Sequence, residues 1–468
     1  VQATTLSFAE NAERAIVDSD LQRALGNIKT GWVRSRAVAA ERLPEFEALR
    51  DRARDIKNHA LAHLDLYLEA FERKVQAAGG SVHWARDAAE AREIIRSICS
   101  DVGARTVTKS KSMVAEEIGL NEYLEAAGIT PVETDLGEYI IQLRHEPPSH
   151  LVAPAVHLTK DQVSDVFERV HGGPRVEDGT ELVAQARRVL RQKYLEADVG
   201  ITGANFLIAE TGSAITVTNE GNAELTQGLP RTHIVIASLE KIIPTVADAF
   251  TLLRVLARSA TGQEFSTYTT VMTGPKRPGD LDGPDAFHVV LLDNGRSRML
   301  GTAFQDMLRC IRCGACMNHC PVYLTTGGHA YGWVYVGPMG AVLTPQFIGI
   351  ETGHPLPNAS TFCGKCEEVC PVRIPLPNLM RHWREEQFKR SLMPATWRRG
   401  LGLWAFVAQR PALYRRLSGL AIRALRLWMR GRPAVSDLPL AEGWTASRDF
   451  PAPEAGTFMA QWRAGRRR

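Results

Sequence analysis

No run in this 468-residue chain is long and apolar enough to suggest a membrane-spanning helix. The stretch Pro321 to Ile350, free of charged side chains, is broken by repeated glycines and by Pro338 and Pro345, which suits protein interior rather than lipid. Several enzyme signatures are missing too. There is no G-x-G-x-x-G at a strand–helix junction, no P-loop, no H-E-x-x-H and no G-x-S-x-G, so no flavin or nicotinamide site is visible and no catalytic residue stands out. The opening Val1 to Ser7 stretch is polar and lacks an apolar core and a cleavage site, so a cytoplasmic location is expected. At 44% hydrophobic and 23% charged, the rest is ordinary for a globular protein of two or three domains. Cysteine is scarce everywhere but one place: seven of the eight lie between Cys310 and Cys370.

Those seven form two runs, each closing on a Cys-Pro pair. The first, Cys310-x2-Cys313-x2-Cys316-x3-Cys320-Pro321, is a complete bacterial ferredoxin pattern. The second, Cys363-x2-Cys366-x3-Cys370-Pro371, repeats its tail but carries Ser360 where a first cysteine would stand. Three thiolates on a tight turn containing Gly314 or Gly364 reach three irons of one cubane, and the fourth, followed by proline, turns away to the other cluster. The expectation is two [4Fe-4S] clusters, the first on Cys310, Cys313, Cys316 and Cys370 and the second on Cys320, Cys363 and Cys366. The second lacks a cysteine. Ser360 is a candidate oxygen ligand, and the other outcomes are a [3Fe-4S] cluster, water or an exogenous ligand, or a ligand from elsewhere in the chain.

Disulfides and zinc are the competing readings. A chain of this length builds its own core without staples, and no export signal is expected. Zinc takes four ligands from paired C-x2-C hairpins, and a C-x2-C-x2-C-x3-C-P run does not divide that way. The eighth cysteine, Cys99, lies on the apolar side of a helical stretch with Ile94, Ile95 and Ile98 and reads as a core thiol without a ligand role.

Acidic residues are absent between Glu386 and Asp437. From Phe388 onward the chain carries 16 Lys and Arg against 4 Asp and Glu, a net +12, so the preceding 387 residues carry −8 of the overall +4. Between Trp397 and Arg430, bulky apolar residues alternate with arginines in a cationic amphipathic pattern. Its readings are a helical appendix packed on the body, an anionic membrane surface near a quinone pool, or an acidic partner subunit. Nucleic acid is not expected, because no base-reading motif accompanies the charge. The end, Trp462 to Arg468, reads as a frayed terminus.

Four sections emerge along the chain: a helix-rich region 1–80, an α/β domain 81–298 with a largely parallel sheet, a ferredoxin-type section 299–388, and the basic helical tail 389–468. The spacing predicts helices over Ala9–Leu25, Leu43–Gln76, 88–99, 113–127, 180–195 and Pro244–Ser259. Strands are predicted at Ser81–Trp84, Arg105–Thr108, Val199–Ile201, Ala214–Thr218, His233–Ala237 and His288–Leu292. Polar turns follow some of these strands where α/β sheets bind ligands. Lys109 and Lys111 with Ser112, beside a helix start, suit a carboxylate or phosphate, and Thr134 with Asp135 and Glu210 with Thr211 form two further candidate substrate-binding turns.

Together with the cysteine runs, several motifs resemble one family. They are Lys109-Ser-Lys-Ser-Met113, Glu133-Thr-Asp-Leu-Gly-Glu-Tyr139, Pro148-Ser-His150, Ile201-Thr-Gly203, Ala209-Glu-Thr-Gly212, Gly328-His-Ala-Tyr-Gly-Trp-Val334 and Gly443-Trp-Thr-x2-Arg-Asp449 with Phe458 and Trp462. Nearly the whole chain resembles the lactate-utilisation iron–sulfur proteins, component B of a three-part system. The resemblance implies a LUD domain with a sheet like that of ribose-5-phosphate isomerase and CoA-transferases, then an α-helical two-cluster ferredoxin-like domain and a small C-terminal domain. It also implies cytoplasmic oxidation of L-lactate to pyruvate, with this component carrying electrons between a cysteine-rich-domain subunit and a second LUD subunit; peripheral attachment at the inner membrane face is instead an expectation from the basic tail. The pattern of the family also lacks the first cysteine of the second run. An autonomous oxidoreductase for another 2-hydroxy acid such as glycolate, or a cluster-based redox regulator, are the alternatives.

Overall fold

The computed structural model describes residues 2–439, 441–453 and 456–465, so Arg466–Arg468, the end of the expected frayed terminus, lie outside the described residues. The chain forms two compact units, one ending at Glu386 and the other beginning at Gln387.

The first unit is organised by ten strands: β1 Ser81–Ala85, β2 Thr106–Lys109, β3 Thr130–Glu133, β4 Val199–Gly203, β5 Phe206–Ile208, β6 Ser213–Thr218, β7 Thr232–Ser238, β8 Ile242–Ile243, β9 Tyr268–Met272 and β10 Ala286–Leu292. Six of them make a sheet in the order β1-β10-β7-β4-β2-β3, every pair parallel. The central strands read as near-continuous apolar runs because helices cover both faces, and Ile201, Ile234, Val235, Ile236, Val289 and Val290 are all fully buried. Gly200 on β4 is required by close packing. A Cβ there would stand 1.8 Å from the carbonyl oxygen of Thr226, in the helix Asn222–Gly228.

The predicted strand Ala214–Thr218 does not join that sheet. It is β6 of a separate four-stranded sheet, β8-β5-β6-β9, in which β5–β6 and β6–β9 are antiparallel. Three predicted helices are also broken by local conformation. Asp18 leaves the helical region and its carboxylate caps Ser19–Thr30, ending the preceding helix at Val17. His63 separates Phe46–Ala62 from Leu64–Ala77, and left-handed Gly119 separates Met113–Glu117 from Leu120–Ala126.

One apolar core runs through three of the four sections read from the sequence. Leu25, Ile28, Phe46 and Ile56 of the N-terminal helices, Phe206, Ile208 and Ile215 of the second sheet, and Met307, Ile311, Tyr323, Tyr335 and Val342 of the cysteine-bearing segment belong to it. Cys313, Cys316, Cys320, Cys366 and Cys370 belong to this shared core and Cys310 packs against it, rather than sitting on an appended module. Cys99 is fully buried in a different core against the parallel sheet, and burial pushes its thiol up to about 12.

The second unit contains the helices Ala395–Ala408 and Pro411–Met429 and a short antiparallel pairing of Ala434–Val435 with Phe450–Pro451. Trp397, Leu403, Trp404, Leu420 and Leu427 are exposed among its arginines. No helix among the described residues is long and apolar enough to cross a membrane.

Candidate metal centres and the adjoining cleft

The two cysteine runs are local copies of one backbone. Arg312 and Gly314 flank Cys313 with positive φ of 59° and 74°, and Phe362 and Gly364 flank Cys363 with 54° and 81°. Each glycine starts a one-turn helix that carries the next cysteine, Ala315–Asn318 for Cys316 and Lys365–Glu368 for Cys366. Beyond each Cys-Pro pair the backbone turns its N–H groups back on the sulfur, from Val322 and Tyr323 to Cys320 and from Val372 and Ile374 to Cys370. These donors favour thiolates.

In space the runs interleave. Cys310, Cys313 and Cys316 line one cavity with Cys370 of the other run, closed by Leu151, Met339 and Ile374. Cys320 faces Cys363 and Cys366. Burial and neighbouring thiols push Cys313 up to about 12, while burial with Cys320 and Cys363 nearby does the same to Cys366. All seven are unbridged. Seven soft sulfur donors, six of them in or against the core, with backbone N–H groups aimed at Cys320 and Cys370, fit iron–sulfur ligation.

The two sites differ in surroundings. Cys363 is exposed, whereas Cys313, Cys316 and Cys370 are buried. Ser360 is half-buried; its hydroxyl accepts the Phe362 N–H at 3.1 Å, capping the turn before Cys363, and its carbonyl accepts from Arg384 at 3.3 Å. The first site is clamped from outside its own segment. Buried Arg50 donates to the Cys370 carbonyl from Nη2 at 2.9 Å and to that of Glu368. His150 accepts the N–H groups of Val152 and Ala153 at Nδ1, so its Nε2–H donates to Asn318 at 2.9 Å. Burial holds that imidazole down at about 4.

A buried charge network adjoins the first site. Arg296 pairs with Glu117 at 2.6 Å and Glu240 at 2.9 Å, Tyr335 donates to Glu117 at 2.6 Å, and Arg312 reaches Glu240 at 3.4 Å while lying over the Tyr335 ring. Sequence reasoning missed Glu117, Glu240, Lys241, Arg296 and Arg312. The only signal was Arg312's place between two cysteines.

A cleft of 220 Å³ opens beside this network, lined by Ser110, Lys111, Ser112, Asp135, Asn222 and Lys241, with Arg312 and Cys313 in its wall. Of the expected substrate-binding residues it gathers Lys111, Ser112 and Asp135. Lys111 is already engaged, 3.2 Å from Asp135 and 2.8 Å from the Val152 carbonyl. The others do not line it. Lys109 is buried in ion pairs with Glu133 at 2.6 Å and Glu116 at 3.0 Å. Thr134 bonds the Lys109 carbonyl, Glu210 accepts the Val246 N–H at the start of the helix Val246–Ala260, and Thr211 bonds Ser213. These three hold the fold together.

Sequence comparison agrees with this arrangement. Residues 68–292 match the model of the LUD domain, and residues 306–374 that of the 4Fe-4S dicluster domain. An α/β LUD domain running into a cysteine-bearing 4Fe-4S dicluster-type domain defines an iron–sulfur protein of the LUD class. Proteins called lactate utilization protein B are 44% identical in Bacillus velezensis, over 97% of this chain and 96% of that one, and 46% identical in Geobacillus kaustophilus, over 95% and 94%. The Bacillus subtilis protein of that name is 43% identical over 99% and 97%. The chain belongs to the lactate utilization protein B family. A crystal structure of a DUF162 family protein from Deinococcus radiodurans matches 49% of this chain and 98% of its own at 16% identity, with a TM-score of 0.27.

Proposed function

We infer that this protein is the electron-carrying component of a three-subunit system that oxidises L-lactate to pyruvate. The observation that carries this reading is the interleaving of the two cysteine runs, with Cys370 in the cavity of Cys310, Cys313 and Cys316. That set supplies four thiolates for one [4Fe-4S] cluster, and Cys320, Cys363 and Cys366 supply three for a second, with Ser360 as candidate fourth ligand or the second cluster as [3Fe-4S]. Clusters held this way exchange single electrons, whereas lactate gives up two. The chain's own residues orient the path. Cys313 borders the LUD cleft, which makes the first site the inner end, and exposed Cys363 makes the second the outer end. Arg50 and His150 hold the inner site against the N-terminal helices and the LUD domain.

A cysteine-rich-domain subunit and a second LUD subunit are the partners this reading requires. The exposed tryptophans and leucines among the arginines of the second unit support a docking role, on an acidic partner or on an anionic membrane surface near a quinone pool. The test is L-lactate-driven reduction of the anaerobically reconstituted chain, followed by visible bleaching with and without the two partners. Reduction only with the partners is expected. Reduction by the chain alone would make it an autonomous oxidoreductase, and none in either case would leave a redox regulator.

A further inference from the structure

Three buried polar atoms lining the LUD cleft have no hydrogen-bond partner, and a lysine beside them is unpaired. Arg312 is nine-tenths buried, with its side chain 9% exposed, and its Nη1 makes no hydrogen bond. Lys241 is 6% exposed, and its ammonium makes no hydrogen bond or ion pair with any described residue. The buried Ser110 hydroxyl and the buried Asn222 amide oxygen are also unpartnered. Burying such atoms without partners costs about 1–3 kcal/mol each, more when charged, so three of them in one cleft, beside the unpaired Lys241, mark a place where a ligand completes the bonding.

The mixture specifies the ligand. The Arg312 guanidinium and the Lys241 amine, held down at about 7 by burial and by Arg312 so that an anion beside it favours its charged form, match a carboxylate, since charge-assisted hydrogen bonds to Arg and Lys are the strong ones. An amide oxygen and a hydroxyl match a neighbouring hydroxyl or carbonyl. The anionic side chains in the wall do not compete for the cations. Asp135 is paired with Lys111, and Glu220 accepts the Leu136 N–H. At 220 Å³ the cleft falls below the roughly 300–1,000 Å³ of drug-sized pockets, which points to a ligand of few atoms.

We propose that the LUD cleft binds a short 2-hydroxy or 2-oxo carboxylate, with its carboxylate on Lys241 and Arg312 and its 2-oxygen on Ser110 and Asn222, against the wall formed by Cys313. This deepens the electron-carrier reading, because the ligand then lies beside the inner cysteine site. Arg312 and Cys313 both line the cleft, so the guanidinium lies beside the ligand and beside the inner site.

The test is calorimetric titration of the anaerobic, cluster-loaded full chain with pyruvate, L-lactate and propionate. Paramagnetic resonance of the reduced protein, recorded with and without pyruvate, is the second readout. Pyruvate and lactate are expected to bind, and propionate at least about tenfold more weakly, because it leaves Ser110 and Asn222 unpaired. Lys241→Met is expected to weaken pyruvate binding by about tenfold or more while keeping the iron content, and Arg312→Lys to weaken it and alter the inner-site signal. No binding to the loaded wild-type chain would overturn the proposal, as would binding untouched by Lys241→Met. Equal binding of propionate would overturn the assigned 2-oxygen contacts. Partner-dependent reduction by lactate without binding to this chain would sink the cleft and spare the electron carrier; binding without reduction would do the reverse.

Discussion

The two cysteine sites share a local backbone and differ in almost everything around it. Arg312 and Phe362 take the same left-handed turn, and Gly314 and Gly364 start the same one-turn helix. Yet the first site has four buried or half-buried thiols, a clamp from Arg50, a strut from His150 and an adjoining network of buried charge, while the second has three thiols, one of them exposed. Spacing dictates the ligand loop, whereas solvent access and neighbouring charge, which tune a cluster's potential, come from distant chain segments.

The comparison breaks most visibly at the thiols. Cys316→Ser, in the buried site, is expected to lose the inner cluster and destabilise the shared core, so both iron content and thermal stability fall. Cys363→Ser, at the exposed site, is expected to disturb only the outer cluster. Iron and acid-labile sulfide assays with paramagnetic resonance distinguish the two, and equal losses would mean that the sites form as one unit.

A second difference is acid sensitivity. His150 is held at about 4 in the fold, below the ordinary 6.5 of an exposed imidazole, because protonation would cost it its buried setting and its acceptor role. Its contribution to stability is complete above pH 6.5 and is lost as pH falls towards 4, since the unfolded chain binds the proton first. Up to about 3 kcal/mol is involved. Denaturant midpoints between pH 7.5 and pH 5 should fall less steeply in His150→Gln than in the wild type, and parallel slopes would remove the strut from the account.

The smallest expected effect is on the missing ligand. Ser360→Cys should change stability by less than about 1 kcal/mol, since the hydroxyl makes one local bond at a half-buried turn. It should shift the outer cluster's resonance towards a four-iron signature. An unchanged spectrum would place the fourth ligand elsewhere.

Much of this was legible from local pattern. The predicted strands at 81, 105, 199, 233 and 288 all appear in the parallel sheet, since apolar runs of that length between helices have few other fates. The interleaved pairing of the runs followed from where proline turns the fourth cysteine away. The lysines were less legible. Lys109 ends β2 and is sealed by Glu116 and Glu133, while Lys111, two residues on and past the strand, lines the cleft. Nothing in Lys-Ser-Lys distinguishes them, because the deciding carboxylates lie elsewhere in the fold. Likewise β6 has ordinary strand composition, and its sheet was chosen by pairing with β5 and β9.

By itself the sequence determined the chemistry available: seven thiols in two copies of one loop, and an α/β scaffold with strands in a readable order. Only the tertiary structure decided which charges are spent on each other and which remain free. Arg296 was consumed by Glu117 and Glu240, Lys109 by two glutamates, and Lys241 was left facing the cleft beside Cys313. The reason is that a buried charge is defined by its partners, and these can come from distant segments, 179 residues away for Arg296 and Glu117, whereas a cysteine turn is closed by neighbours within ten residues.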